Sequence, residues 1–156
     1  MKLEKFKNQL EILTKEEGDD LREKYIERFV NRSHSLYMER IEERHKFKDG
    51  YCYIGYLWDF MKEPILIKES YVNAKARDLG EVYVFWDINT CERIFIKDYW
   101  KFDKDAVLKL KFADLLEGQE HLPEDIYVFD DSFSWTLILT HEDIDGERHC
   151  LKSGDI

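Results

Sequence analysis

The sequence predicts an α+β fold, with N-terminal helices packed on a mainly antiparallel sheet of about five strands that ends in a β-meander. Three observations predict it. Apolar residues recur at helical spacing in the first half, as in Leu3, Phe6, Leu10 and Leu13. From Glu81 onward the pattern changes to short runs rich in Val, Ile and aromatic residues. Asp145-Gly146 then separates two alternating runs, a strong hairpin signal. At 156 residues the chain fits a single domain, with a helical part over 1–78 and a sheet part over 81–152.

Residues 2–13 read as a short amphipathic helix. Thr14 to Asp20 contains Gly18 and reads as a break, with Asp19 or Asp20 capping a second helix marked by Leu21, Tyr25, Phe29 and Val30. Ser33 and Ser35 interrupt that helix before Leu36, Tyr37 and Ile41 resume its stripe. Lys48-Asp49-Gly50 closes the region with a turn. Residues 51–60 are apolar almost throughout, and Tyr53, Tyr56, Leu57 and Phe60 suit a buried helix stopped by Pro64. Glu69 to Arg77 is a further short helix.

Glu81 to Asp87 and Arg93 to Lys97 read as strands joined by a hairpin through Ile88-Asn89-Thr90-Cys91. Residues 103–117 fit two patterns: Ala106, Leu108, Leu110 and Phe112 alternate, while Phe112 to Leu116 looks helical. Strands follow at Ile126–Asp130, Ser134–His141 and 147–152. Their alternation is apolar on both faces. Val82, Val84 and Trp86 oppose Tyr83 and Phe85; Ile126 and Val128 oppose Tyr127 and Phe129. One face meets the helices. The second also needs a cover: more helix, the long 98–122 connection, or a partner.

The net charge of −10 is not evenly spread: residues 113–156 hold two basic and twelve acidic side chains, while the two charges balance before that. Such a block repels phosphate backbones and argues against nucleic acid as a partner. The start is charged, with no apolar leader, and no run approaches the roughly 18 apolar residues of a membrane span. Cys52, Cys91 and Cys150 are odd in number and far apart, with no CxxC pair. A cytoplasmic protein without membrane attachment, metal or cofactor is the expectation, its oligomeric state left open.

In a three-strand meander the start of the strand at 126 and the end of the strand at 141 share one sheet end. Glu124, Asp125, Glu142, Asp143, Asp145 and Glu147 therefore gather there, with Asp130 and Asp131 at the opposite end. Two readings follow. Loops favour Asp and Glu simply because they are solvated; alternatively, the cluster docks a basic partner, since one-sign charge speeds association. Trp100, within the charged and aromatic stretch Lys97 to Asp103, is the candidate anchor. Trp58, Trp86 and Trp135 read as core.

A two-residue turn at Asp145-Gly146 sets His141 opposite Cys150 and Glu142 opposite His149. That arrangement admits an alternative function, a metal-dependent or Cys/His hydrolase on the terminal hairpin, drawing also on Asp130. No phosphate-binding loop, HExxH helix or oxyanion hole accompanies it, and no residue is assigned a catalytic role.

Gly55-Tyr-Leu-Trp-Asp-Phe60, Val84-Phe-Trp-Asp-Ile88 with Arg93-Ile94, and Pro123 to Lys152 resemble small bacterial proteins grouped in families of unknown function. The resemblance covers about residues 50–152. Its C-terminal segment is also similar to a segment of bacterial immunity proteins, which neutralise a toxin by binding it. The resemblance implies a protein-binding module for a basic toxin domain rather than an enzyme, and carries over no site residue.

Overall fold

The computed structural model describes residues 1–47, 50–88 and 99–156. Helix α1 (Leu3–Asn8) leads into strand β1 (Leu10–Ile12), and α2 (Lys15–Phe29) follows. A small hairpin of β2 (His45–Phe47) and β3 (Gly50–Cys52) precedes β4 (Ile65–Ile67), α3 (Glu69–Ala74) and β5 (Glu81–Trp86). The chain continues through β6 (Leu108–Lys111), α4 (Phe112–Gly118), β7 (Ile126–Phe129), β8 (Trp135–Ile144) and β9 (Glu147–Gly154).

Seven strands form one antiparallel sheet in the order β1-β6-β5-β7-β8-β9-β4, while β2 and β3 pair with each other. The α+β expectation holds; the count of about five strands does not. Both edge strands, β1 and β4, come from the part expected to be helical. Each is three residues long, too short to display an alternation of its own.

The two-faced pattern of the central strands produces two cores. Val82, Val84, Trp86, Ile126 and Val128 point into one, with Phe6 of α1, Val72 of α3, and Phe112 and Leu115 of α4. Phe85, Tyr127, Phe129 and Ile138 point into the other, with Tyr25 and Phe29 of α2 and with Tyr53, Leu57 and Phe60. Protein therefore covers both faces. The 98–122 connection contributes Phe102 and α4 to the first, and α2 with the 37–61 stretch closes the second.

Local corrections follow from hydrogen bonding and contact. The N-terminal helix stops at Asn8 because the next residues pair with β6; Leu10 and Leu13, apparent neighbours on a helix face, pack into opposite cores. The second helix starts at Lys15, a turn earlier than expected. Thr14 Oγ1 accepts from Glu17 N at 3.2 Å and donates to the Glu17 carboxylate, a reciprocal cap. Gly18 is inside this helix rather than a break, and a Cβ there would lie 3.2 Å from Val107 Cγ2.

Residues 51–60 are not a helix. Tyr53, Leu57 and Phe60 are buried as their spacing suggests, but Tyr53 follows a strand that ends at Cys52, and Leu57 and Phe60 bound one tight turn. The Leu57 and Trp58 amides donate to the Asp87 carboxylate and the Tyr127 hydroxyl instead of to carbonyls one turn back. Residues 108–118 satisfy both expected patterns in turn, strand then helix. The strand expected at Arg93–Lys97, its loop from Asn89 to Cys91, and the Lys48-Asp49 pair lie outside the described residues. Among the described residues no helix is long and apolar enough to cross a membrane.

Candidate functional site

The β8–β9 hairpin turns through Asp145 and Gly146, both at positive φ (54° and 82°), the backbone that a two-residue hairpin of this kind requires. Its ladder is interrupted. Ile144 pairs with Glu147 and Asp143 with Arg148, but Leu139 pairs with Cys150, so Thr140 to Glu142 stand against His149 alone. The bulge is held by polar contacts: Thr140 Oγ1 donates to the His149 carbonyl at 2.7 Å, and Arg148 Nε donates to the Thr140 carbonyl at 2.8 Å. It moves His141 away from the expected place opposite Cys150. Cys150 is instead buried across from Leu139, and burial pushes its thiol up to about 11. The expected Cys–His pair is not formed, and this thiol is not an activated nucleophile.

His141 turns toward β7. Asp125 Oδ1 accepts from the His141 amide at 3.0 Å and lies 2.9 Å from its ring Nδ1, while Trp58 Nε1 donates to the same oxygen at 3.0 Å. Asp125 is thus a buried orienting group and leaves the docking surface assigned to it from sequence. The ring lies against Tyr56, with centroids 5.0 Å apart, at the rim of a cleft of about 610 Å³. Glu69, Glu120, Glu124 and Asp143 also line this cleft, around Arg148.

Arg148, one of the two basic residues in the acidic block, organises this end. Besides the Thr140 carbonyl, its guanidinium donates to Gln119 Oε1 at 2.9 Å and to the Glu124 carbonyl at 2.7 Å. The sequence reading missed this, because a single Arg in an acidic stretch gives no sign of its three acceptors. Glu124, Glu142, Asp143, Asp145 and Glu147 are exposed, and Glu124 and Asp143 share the cleft; strand reversal brings them to one end as expected. Trp100 is half-buried against the first core, not displayed as an anchor. Asp130 lies at the far end of β7, accepting from Trp135 Nε1 at 3.1 Å. Among the described residues no group of three or more His, Cys, Asp or Glu is arranged to hold a metal ion.

On the outer side of the same hairpin, a hollow of about 410 Å³ lies between its tip and edge strand β4. Leu66, Ile67 and Ile144 line it, with the acids Asp145 and Glu147 and the bases Lys68 and Arg148. Three large apolar side chains are exposed in this region: Ile65 at 55%, Leu66 at 61% and Ile144 at 47%.

A second polar centre went unread in the sequence. Asp87, the last residue of the run Val82 to Asp87, is fully buried under the second core. Its carboxylate accepts from Tyr53 Oη at 2.5 Å, Tyr127 Oη at 2.6 Å and Leu57 N at 3.0 Å. Burial pushes it up to about 7 despite these donors. The only available signal was an acid closing an otherwise apolar strand. No protein-family model, curated protein or solved structure gives a significant match to this chain.

Proposed function

We propose that the chain is a protein-binding module of the immunity type, holding a basic partner along its acidic sheet edge. The observation that carries this reading is the exposed apolar pair Leu66 and Ile144 in a hollow edged by Asp145 and Glu147, with Ile65 exposed on the same edge strand and Glu142 and Asp143 exposed on the same hairpin. Apolar side chains left open inside a charged rim favour a protein surface over solvent. Because β4 is an edge strand, its outer backbone groups can accept an added strand. Both sheet faces are filled from within, which leaves the edges, and β4 is the edge beside the acidic hairpin tip. An extended basic segment meets all three features: main-chain pairing, apolar contact and opposite charge.

The test uses a synthetic extended peptide alternating Lys and Val, with a Glu and Val peptide as control. The basic peptide is expected to shift amide resonances at 65–68 and 143–149, and the acidic one to leave them unmoved. Asp143→Lys with Asp145→Lys is expected to slow association about tenfold or more at low ionic strength, and less at high salt. Equal binding of both peptides, or association unchanged by the reversals at low salt, overturns the proposal.

A further inference from the structure

A cavity of about 240 Å³ opens on the other side of the molecule, between α2 and the 37–57 stretch, and three arginines line it: Arg22, Arg32 and Arg44. Two of them are engaged. Arg32 pairs with Glu23, and Arg44 donates to the Ile41 carbonyl while lying over the Tyr53 ring, 5.0 Å from its centroid. Arg22 differs. Its guanidinium lies 5.0 Å from the Phe85 centroid, and its Nε and Nη2 are closed to solvent with no hydrogen-bond partner. Burial holds it below its ordinary value, although Tyr53, Asp105, Asp19 and Asp87 attract its charge.

The buried Asp87 carboxylate does not partner these nitrogens, because its oxygens are committed to Tyr53, Tyr127 and Leu57. A buried guanidinium left in this state is costly, and such groups are normally paired. The cavity can supply the missing partner. It is smaller than the ~300–1,000 Å³ typical of drug-sized sites, which fits a compact ligand. Its lining carries three cations and two carboxylates, Glu23 and Glu42, an excess that favours a small anion. Ile26, Ile41 and Leu57 add an apolar wall.

We infer that this cavity binds a small organic monocarboxylate, its head on Arg22 and its apolar stem against Ile26, Ile41 and Leu57. A planar carboxylate matches the guanidinium fork, and one charge suits this lining better than the two of a phosphate ester beside Glu42. The site is separate from the docking edge and independent of that reading.

Benzoate, phenyl phosphate and the neutral benzamide are titrated against the whole protein, following thermal stability and the Arg22 Nε–H resonance. Benzoate is expected to raise Tm with concentration and to move that resonance, and benzamide to do neither. Arg22→Met, which replaces buried donors without partners by an apolar side chain of similar length, is expected to fold and to lose about tenfold or more in benzoate affinity. The wild-type resonance decides the matter even if that variant does not fold. An Nε–H signal unmoved by either anion, or benzamide binding as well as benzoate, overturns the anion site. Tighter binding of phenyl phosphate overturns the monocarboxylate assignment.

Discussion

The two cores on either side of the sheet are built from alternate residues of the same strands, yet they are held together differently. The first is closed by α1, α3 and α4 and is largely apolar; among the described residues Trp86 Nε1 sits there closed to solvent without a partner. The second contains the Asp87, Tyr53 and Tyr127 cluster and a Tyr25 to Thr136 hydrogen bond of 2.7 Å. The covers explain the difference. Helices satisfy their own backbone, so the layer beneath them needs no acceptors. The described residues between 31 and 61 form only short turns and short strands, and inward amides between them must find partners inside the protein. Leu57 N and Trp58 N find them on Asp87 and Tyr127. A cover of short pieces calls for polar groups in the core beneath it.

The largest expected effect lies in the dry core. Phe112 is fully buried at the start of α4. Phe112→Ala is expected to cost about 3–5 kcal/mol in urea unfolding, by lost transfer energy plus a cavity, equally at pH 5 and pH 8. A marked pH dependence of that cost would mean that the two cores are not separable.

This division was half legible in the sequence. The alternation of β5 and β7 gives which residue faces which core, because a strand's period of two survives any tertiary arrangement. The covers were harder to read. Tyr53, Leu57 and Phe60 carry helical spacing, and nothing local reveals that Asp87, about thirty residues on, captures the backbone that a helix would use for itself. At the acidic end, convergence of Glu124 with Asp143 follows from strand order. The bulge does not, since the contacts that make it join Arg148 to Thr140 and Asp125 to His141, each across strands.

The second effect belongs to the polar core alone. Unfolded, Asp87 titrates near 3.8; folded, near about 7, raised mainly by burial. Between those values the folded chain keeps a proton that the unfolded chain releases. Its stabilising contribution is therefore complete below about pH 4 and is lost as pH rises through 7. A shift of this size corresponds to at most about 4 kcal/mol at ~1.36 kcal/mol per unit. Asp87→Asn keeps an oxygen for Leu57 N and does not titrate. Unfolding measured from pH 4 to pH 8 should show wild-type stability falling relative to this variant. Parallel pH curves would place the charge elsewhere and remove the polar core's distinguishing feature.

The smallest effect asks whether that core is held by its hydroxyls or by its rings. Thr136 Oγ1 donates to the Val128 carbonyl at 2.9 Å, which leaves Tyr25 Oη as the donor in their shared bond. Tyr25→Phe keeps the edge-on ring contact with Phe85 and strands no donor; Thr136 loses only an acceptor role. The expected cost is about 1 kcal/mol, the net worth of one intramolecular hydrogen bond. Thr136→Val leaves the Tyr25 hydroxyl buried without its acceptor and is expected to cost more, about 1–3 kcal/mol. If Tyr25→Phe instead matches Phe112→Ala, the hydroxyls hold the second core as strongly as packing holds the first, and the two faces differ in kind of bond but not in strength.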